Sequence, residues 1–483
     1  MNKQITTVEQ WDIFELALPG PSQGNPFKDV ALSCQFSFQN RTLIPDGFYD
    51  GDGTYNVRFM PDQVGQWRYR TISNLPALHD IRGTLTCTPA QDGNHGPVQV
   101  SDTHHFRYAD GTPHFSFGTT CYAWVHQPHE MQAQTLETLK AGPFNKIRMC
   151  VFPKHYAYNQ DEPELYPFQR DDELNIDLER FSPAFFHHFE RQVGALRDLG
   201  IEADIIIFHP YDRWGHSRMD PETDDRYIRY LVARLAAYRN VWWSMANEFD
   251  FLPAKSIADW DRFFRVLMEA DPYNHLRGIH NGAQRYGHEK PWITHVSVQT
   301  SDMYSGLGQR QQFQKPVVFD EVCYEGDIPE PWGNISALEL VHRFWAGTIM
   351  GCYVGHGETY LHPDDLLWWA KGGLLRGQSA ARIAFLRQIL ESGPKAGLTP
   401  LGDQWAESNK MAGVEGEYYL LYFGVHAPAK WHYLTLPEGV KFKIDLIDTW
   451  KMTITPVEGL FEGQCEIDLP GKPYMAVRAQ KMI

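Results

Sequence analysis

Between residues 114 and 354 the chain alternates short apolar runs with amphipathic segments, and this alternation constrains the fold most strongly. Eight runs have the length and composition of buried strands: Phe115–Thr119, Lys146–Phe152, Glu202–Phe208, Val241–Ala246, Arg277–His280, His295–Gln299, Val317–Phe319 and Met350–Val354. Segments between them, such as Pro183–Leu199 and Arg226–Ala237, have helical spacing. Strands alternating with helices predict parallel βα units, and eight units favour a (β/α)8 TIM barrel over an open doubly wound sheet. The first βα turn also lacks G-x-G-x-x-G, which argues against a dinucleotide fold.

Segments with strand signals flank this predicted barrel on both sides. The N-terminal part has alternating runs, such as Val30–Phe36 and Tyr55–Phe59, between turn signals, which is typical of a small β-sandwich. After a predicted helix at Ser379–Leu390, strand signals return at Glu417–Phe423, Lys441–Asp445 and Met475–Arg478. Because 483 residues exceed what one hydrophobic core usually serves, we expect three domains. These are an N-terminal β-sandwich over 1–95, the α/β barrel over 96–394 and a small C-terminal β-sandwich domain over 395–483.

Charge and hydrophobicity limit the partners of the chain. Its net charge of −16 and the lack of a basic run argue against nucleic acid, and an uncharged substrate fits better. The polar segment Met1–Glu9 precedes no apolar signal region, and no run of about 18 apolar residues predicts a membrane span. We therefore expect a cytoplasmic protein without a membrane partner. The sequence leaves open whether it forms a homo-oligomer.

The seven cysteines are scattered, odd in number and mostly in apolar, strand-like surroundings. They are predicted to be buried free thiols. No C-x-x-C motif or Cys/His pair has the spacing of a zinc site. We expect neither a metal nor a cofactor.

Two glutamates follow apolar strands at positions where a barrel places its active site. The fourth candidate strand runs into Asn247-Glu248, and the seventh into Asp320-Glu321. Cleavage of a glycoside needs one protonated carboxyl at the leaving oxygen and one ionised carboxylate beneath the anomeric carbon. Mutual repulsion and burial would raise the pKa of the acid, and Arg148 could keep the other glutamate ionised. The two glutamates therefore predict glycosidase chemistry.

Two further carboxylates compete for the role of nucleophile. Glu358 follows the eighth candidate strand, and Asp320 precedes Glu321. Because strand side chains alternate, Asp320 faces away from the barrel mouth if Glu321 faces it. Five tryptophans lie where they could stack on sugar rings: Trp124, Trp214, Trp292, Trp332 and Trp368. The long insertion from Pro153 to Arg180 could block one end of a cleft, which favours exo action on a short substrate.

These strand ends resemble those of the clan-A retaining (β/α)8 glycoside hydrolases, including the cellulase and apiosidase-like barrels. Asn247-Glu248 and Glu321 look like the clan signature. Arg148, His209 and His280 end the second, third and fifth candidate strands, where those barrels carry an Arg or His around the subsite of the cleaved sugar. The segments Asp110–Thr120 and Phe319–Gly326 are similar to apiosidase-like, DUF4038-type proteins. Such proteins commonly carry an N-terminal β-sandwich, of the DUF5060 type, and a C-terminal β-domain.

The resemblance implies roles for individual residues. Glu248 would be the acid/base, Glu321 the nucleophile, Asn247 a ligand of the sugar 2-hydroxyl and Arg148 a support for the nucleophile. Two departures concern the sugar subsite. Many clan members have an aromatic residue after strand six that bonds the nucleophile; this chain lacks it there and has Tyr304 further on. Many also have a Trp after strand eight, where this chain reads Gly355-His356-Gly357-Glu358. The predicted substrate-binding residues are Asn247, Arg148, His209, His280, Tyr304, Trp124 and His356.

Two alternatives to a glycosidase remain open. A metal-dependent hydrolase on the same barrel could gather His209, His280, His356 and Asp212 around an ion. A Schiff-base aldolase would need a strand-end lysine, for which Lys146, Lys154 and Lys371 are poorly placed. The other alternative is a non-catalytic carbohydrate-binding barrel, which would typically have lost one of the two rim carboxylates. The main hypothesis is a retaining, exo-acting glycoside hydrolase with a carbohydrate substrate.

Overall fold

The computed structural model describes residues 6–482 except 172, 174, 365 and 402–409. Residues 1–5 of the polar N-terminus lie outside the described residues. The central sheet has eight parallel strands, β1 Phe117–Thr120, β2 Lys146–Cys150, β3 Glu202–Phe208, β4 Val241–Ala246, β5 Arg277–Gly278, β6 Val296–Gln299, β7 Val317–Glu321 and β8 Tyr353–His356. They are hydrogen-bonded in the order β5-β4-β3-β2-β1-β8-β7-β6, so the sheet curls into a nearly closed barrel. This confirms the predicted barrel.

Two hydrogen bonds between Arg277 and Thr294 join the two edges of the sheet at β5 and β6. In place of a regular ladder, Thr294 donates its N–H to the Arg277 carbonyl at 3.0 Å, and the Arg277 N–H donates to Thr294 Oγ1 at 2.7 Å. Strand β5 is two residues shorter than predicted, although the His280 N–H still reaches the Ala246 carbonyl at 3.0 Å. The backbone therefore stays in place up to His280, which lies beside the candidate site.

Helices pack around the barrel: α1 His129–Ala141, α2 Pro183–Asp198, α3 Pro221–Leu235, α4 Ile257–Ala270, α5 Ser305–Phe313, α6 Ala337–Ile349 and α7 Ser379–Glu391, with short helices at Pro26–Asp29 and Trp368–Lys371. Helix α3 starts five residues before its predicted start because Asp220 caps it by accepting the Thr223 N–H. The prediction that the eighth strand begins at Met350 is wrong. Helix α6 extends to Ile349, and Gly351, with φ of 69°, turns the chain before β8.

Two sheets share one apolar core at the N-terminal end. One sheet contains Thr6–Glu9, Arg82–Thr88, Gly65–Ser73, Leu32–Phe38 and Arg41–Leu43, and the other contains Phe14–Pro19, Thr54–Phe59 and Gly47–Tyr49. Arg58 connects this part to the barrel, donating to Glu190 Oε2 at 3.0 Å and to the Arg234 carbonyl at 2.7 Å. Short strands Val98–Ser101 and His105–Tyr108 lead into β1. The predicted runs at Val30–Phe36 and Tyr55–Phe59 both form strands in these sheets.

The C-terminal part is also made of strands with a core of its own. A six-stranded sheet contains Thr399–Pro400, Lys410–Val414, Tyr418–Tyr422, Met475–Lys481, Phe442–Asp448 and Thr453–Pro456, and Lys430–Leu436 pairs with Gly463–Asp468. Two small two-stranded sheets lie in the loops of the barrel. One pairs Phe168–Arg170 with Ile176–Phe181, and the other pairs Glu325–Gly326 with Glu358–Thr359. The strand signals on both flanks are thus confirmed, and the exact domain boundaries stay predictions.

All seven cysteines are free, and all but Cys323, which is partly exposed, are buried, in agreement with the sequence expectation. Across the described ranges, no helix combines the length and apolarity that a membrane crossing needs.

Candidate active site

Glu321, the last residue of β7, lies at the floor of a cavity at the barrel mouth. Its carboxylate accepts a hydrogen bond from the Tyr122 hydroxyl. Arg148 Nη1 and His280 Nε2 each lie 3.7 Å from Glu321 Oε1. Three groups from β2, from the turn after β1 and from the end of β5 thus hold this carboxylate in one orientation.

Glu248 lies two residues beyond β4, in the same cavity. Its backbone is left-handed, with φ of 47° and ψ of 54°, a conformation that is uncommon outside glycine and concentrated at functional sites. The Tyr211 hydroxyl donates to the Glu248 carboxyl, and Asn247 Nδ2 donates to its Oε2 at 3.1 Å. Each glutamate therefore accepts a hydrogen bond from a different tyrosine.

Asn247 connects the two glutamates. Its Oδ1 accepts from Arg148 Nη2 at 3.3 Å and lies 3.3 Å from the Tyr122 hydroxyl that serves Glu321. Its amide nitrogen serves Glu248. Both carboxyl groups thus belong to one hydrogen-bond network, in which a displacement at one end is transmitted to the other.

A cluster of buried charges beneath the floor fixes Arg148. Lys146 Nζ lies 2.7 Å from both Asp204 Oδ2 and Asp320 Oδ1, and Arg148 Nε lies 3.7 Å from Asp204 Oδ2. Asp320 also accepts from Ser297 Oγ at 2.6 Å. Asp320 therefore points into the barrel beneath the cavity floor, and not to the outer face of the sheet that strand alternation predicts. Its ion pair with Lys146 makes it unavailable as a nucleophile.

The two glutamates differ in protonation. Burial and then the nearby charge of Glu321 raise the pKa of Glu248 above its usual value. Burial alone would also raise the pKa of Glu321, but His280, Arg148 and the Tyr122 hydroxyl together lower it to about 2. At neutral pH the site therefore holds one ionised carboxylate beside one carboxyl that retains its proton more readily. Acid-catalysed cleavage of a glycoside requires this combination.

The cavity above them has a volume of about 650 Å³ and aromatic walls. Apart from the glutamates and Asn247, it is lined by Lys154, Tyr156, Ala157, Tyr158, Tyr211, Gly282, Gln299, Thr300, Ser301, Cys323, Tyr324, Glu330, Trp332 and Trp369. The rings of Trp332 and Trp369 lie 4.9 Å apart between centroids. Flat apolar faces next to hydrogen-bonding groups suit a sugar, which has both kinds of surface.

Two loops meet over the cavity. Tyr158, in the insertion after β2, donates a hydrogen bond to Glu330, in the loop after β7. Both residues line the cavity. Part of the predicted blocking insertion therefore does form a wall of the cavity, and this contact, which we term the Tyr158–Glu330 clamp, joins the wall to the opposite loop.

Five predicted site residues come together here: Arg148, Asn247, Glu248, His280 and Glu321. His209 is buried next to them, and its Nε2 donates to the Phe152 carbonyl at 3.1 Å. Burial lowers the pKa of His209 to about 4, so it is neutral at pH 7. It lies behind the cavity wall and does not line the cavity.

Three predicted substrate-binding residues lie elsewhere, and these predictions require correction. Trp124 is fully buried in the barrel core, where its Nε1 lies 3.4 Å from Met149 Sδ. His356 is fully buried on β8, with its Nδ1 2.9 Å from Thr119 Oγ1. Tyr304 precedes α5, and its ring faces Lys410 of the C-terminal sheet at 5.6 Å. None of the three side chains lines the cavity, so none can touch a sugar bound there.

Glu358, the other rival nucleophile, has a structural role. Its two carboxylate oxygens accept the backbone N–H groups of Arg376 and Gly377 at 2.5 and 2.8 Å. Glu325 accepts the next two N–H groups, those of Gln378 and Ser379, at 2.7 and 3.0 Å. The pair anchors the chain that enters α7 and leaves neither carboxylate facing the substrate.

The residues suggested for a metal do not converge. Asp212 Oδ1 lies 3.4 Å from His216 Nδ1, whereas His280 lies against Glu321 and His356 against Thr119. Across the part of the chain that the structure describes, no three His, Cys, Asp or Glu side chains are grouped as metal ligands.

Sequence reasoning missed four residues of the site: Tyr122, Tyr211, Lys154 and Trp369. Tyr122, Lys154 and Tyr211 lie two to four residues after β1, β2 and β3, a position that could have identified them. Its sequence position is poor for a Schiff-base lysine, yet Lys154 lines the cavity. Tyr122 makes a contact with Glu321 that resembles the one made by the aromatic residue after strand six in many clan members. Trp369, in contrast, comes from the short helix Trp368–Lys371, which has no local sequence signal.

Several solved structures similar to this chain are described as glycoside hydrolases. A protein from Bacteroides vulgatus ATCC 8482 assigned as a glycoside hydrolase shares 40% identity over 99% of this chain and 100% of its own, with a TM-score of 0.94. A family 5 glycoside hydrolase from the same organism shares 14% identity over 80% of this chain and 93% of its own, with a TM-score of 0.63. A family 39 glycoside hydrolase from Bacteroides cellulosilyticus WH2 shares 12% identity over 99% of both chains, with a TM-score of 0.50. The last two show a shared fold alone.

Family models divide the chain in a consistent way. Two domains of unknown function, DUF5060 and DUF5605, match residues 7–74 and 405–480. The comparison with curated proteins finds no significant match. The model of the apiosidase-like catalytic domain matches residues 100–418, which include the whole barrel and both cavity glutamates. The chain therefore belongs to the apiosidase-like family of glycoside hydrolase barrels.

Proposed function

We propose that the protein is a retaining, exo-acting glycoside hydrolase with Glu248 as acid/base and Glu321 as nucleophile. The observation that carries this proposal is a pair of glutamates in one cavity, each bonded to a tyrosine and both joined through Asn247. The pKa of Glu321 is lowered to about 2, and that of Glu248 is raised. Family membership supports the same class of reaction.

The proposed reaction has two steps. Glu321 attacks the anomeric carbon while Glu248 gives its proton to the leaving oxygen, so that a glycosyl–enzyme ester forms and an alcohol leaves. Glu248, now ionised, then takes a proton from water, which attacks the same carbon and releases Glu321. Arg148 and Tyr122 hold Glu321 for both steps, and Asn247 lies where it can bond the sugar 2-hydroxyl.

The shape of the cavity supports exo action on a short substrate. The Tyr158–Glu330 clamp joins loops from opposite sides of the barrel mouth. A polysaccharide chain that ran through the site would have to separate these loops. A terminal sugar could enter without doing so.

The test is hydrolysis of 4-nitrophenyl glycosides (glucoside, galactoside, xyloside, arabinofuranoside, apioside and fucoside), followed by NMR of the first product. We expect one member to be cleaved, with the anomeric configuration of its first product the same as that of the substrate. A product of opposite configuration would exclude the nucleophile role of Glu321. Binding of a sugar without cleavage of any aryl glycoside would favour the non-catalytic alternative.

The clamp gives a prediction of its own. In Tyr158→Phe, we expect the ratio of kcat/KM on a longer oligosaccharide to kcat/KM on the aryl glycoside to rise by up to about tenfold. Loss of ~1.4 kcal/mol from the Tyr158–Glu330 hydrogen bond would give this factor. Tyr166→Phe is the matched control, because Tyr166 donates to Glu162 in the same insertion but outside the cavity. An unchanged ratio in Tyr158→Phe would mean that the clamp does not limit the substrate.

A further inference from the structure

Lys154 occupies an unusual position in the cavity wall. It lies four residues beyond β2, where its carbonyl accepts from Asn159 Nδ2 at 2.6 Å. The adjacent His155 N–H donates to the Tyr211 carbonyl at 2.9 Å, which fixes the loop against the turn after β3. The residue is only 2% exposed, yet it lines the cavity. Its backbone is therefore held so that the side chain enters the site.

The ammonium group of Lys154 is surrounded by aromatic faces. Its Nζ lies 3.9 Å from the ring centroid of Tyr122, 4.3 Å from that of Tyr211, 4.6 Å from that of Tyr156 and 5.1 Å from that of Trp369. These four rings also contact one another, with Trp369 5.7 Å from Tyr122 and 5.3 Å from Tyr156, and Tyr156 5.7 Å from Tyr211. We term these four rings the Lys154 cage.

The cage takes the place of an ion pair. Among the described residues, no carboxylate oxygen lies within 4.0 Å of Lys154 Nζ, whereas the buried Lys146 and Lys255 both contact aspartates. A buried ammonium without a carboxylate partner is costly, and attraction to ring faces offsets only part of that cost. A lysine that merely filled space could be replaced by an apolar side chain without this cost. The charge itself therefore needs an explanation.

The two nearest rings supply that explanation. Tyr122 donates its hydroxyl to Glu321, and Tyr211 donates its hydroxyl to Glu248. One ammonium group thus lies on the faces of both phenols that hold the catalytic pair. A cation on a ring face attracts the ring and withdraws electron density from it, which fixes the phenol and strengthens its hydroxyl as a donor.

We propose that Lys154 is a positioning residue that keeps the two phenols, and through them Glu248 and Glu321, in their reactive arrangement with a fixed positive charge. This inference rests on the proposed glycosidase function. Lys154 acts through Tyr122 and Tyr211 on the acid/base and on the nucleophile at once. A single substitution should therefore affect both glutamates.

The charged groups around the site set the expected pH response. Burial lowers the pKa of Lys154, the charges of Cys150, Glu248 and Glu321 act to raise it, and Arg148 acts to lower it. The pKa of Glu248 is also lowered by the charge of His280. The positive charge of Lys154 opposes the rise in the pKa of Glu248. Without that charge, Glu248 holds its proton up to a higher pH. Because the first step needs protonated Glu248, the alkaline limb of kcat/KM should then move to higher pH.

The experiment compares Lys154→Met, Lys154→Gln and Lys154→Arg with the wild type on the aryl glycoside that the wild type cleaves. The two neutral variants are expected to lower kcat/KM at its optimum on the order of tenfold or more, the scale of a lost orienting contact, and to move the alkaline limb to higher pH. Lys154→Arg keeps the charge and the ring contacts, so the alkaline limb of its kcat/KM profile should stay at the wild-type pH. Lys443→Met is the matched control, since it removes a charge from an exposed position on a C-terminal strand.

The possible outcomes separate this inference from the proposed function. If the neutral variants fold, as judged by thermal unfolding, and lose rate without any movement of the limb, the role of Lys154 as a charge is wrong. A limb that moves equally in Lys154→Arg or in Lys443→Met would also overturn it. In either case wild-type activity that requires Glu248 and Glu321 would leave the proposed function intact. A wild type that cleaves no glycoside would instead overturn the function itself.

Discussion

Glu321→Ala is expected to lower kcat on the cleaved aryl glycoside by a factor on the order of 10⁵ or more, the scale of removing a nucleophile from other hydrolases. The reason is that neither of the two rival carboxylates can take its place. Asp320 contacts Lys146 below the floor, and Glu358 holds the backbone at Arg376 and Gly377. Initial rates and thermal unfolding of the variant measure the loss and show that the fold is kept.

Azide distinguishes a lost nucleophile from general damage. The alanine leaves space beneath the anomeric carbon, so a small anion can attack there while Glu248 still protonates the leaving oxygen. We expect azide to restore turnover of Glu321→Ala and to yield a glycosyl azide of inverted configuration. Glu358→Gln is the control carboxylate and should keep most of its activity. Loss of activity in Glu358→Gln together with wild-type rates in Glu321→Ala would reverse the assignment.

The barrel could be predicted because each strand carries its own signal. Glu202–Phe208 and Val241–Ala246 are mostly apolar and buried at every position, and the structure has both strands with the predicted ends. Parallel strands inside a barrel are buried on both faces, which produces such runs. The eighth strand was misplaced because Met350 continues the apolar face of α6, and only the turn at Gly351 separates the two elements.

The location of the two glutamates at the barrel mouth could be predicted for the same reason, since Glu321 ends β7 and Glu248 lies two residues beyond β4. Tyr122 and Trp124 show where this reasoning stops. They are two residues apart in one apolar segment after β1, yet Tyr122 reaches Glu321 and Trp124 lies in the core. The direction of each side chain depends on a short helical turn at Trp124–His126 that no local pattern announces.

The Lys154 cage could not be read from the sequence at all. Its rings come from the segments after β1, β2 and β3 and from Trp369, more than 200 residues from the lysine. Their meeting depends on contacts between distant segments, such as the N–H groups of Tyr122 and Ala123, which donate to the carbonyls of Trp369 and Ala370 at 3.0 and 2.9 Å. Functional residues at the end of one strand can be predicted from the sequence. Functional residues that several loops bring together can be identified only from the folded structure.

Glu248→Ala should have an effect that depends on the leaving group. A substrate with a sugar or alkyl alcohol as leaving group needs the proton of Glu248, so we expect a loss of about 10²–10⁴-fold in kcat/KM. An activated leaving group such as 2,4-dinitrophenolate departs without that proton. The first step should then survive, while the second step, which needs a base for water, becomes slow.

The resulting build-up of the Glu321 ester gives the sharpest assignment of roles. For the activated substrate, Glu248→Ala should show a burst of phenolate, a lowered KM and an ester on Glu321 that mass spectrometry detects. Azide needs no base, so it should relieve the slow step and yield a glycosyl azide of retained configuration, the opposite of the Glu321→Ala product. Glu330→Gln, a cavity carboxylate bonded to Tyr158, is the matched control and should show no burst. Equal losses for activated and unactivated substrates would show that Glu248 does not protonate the leaving group.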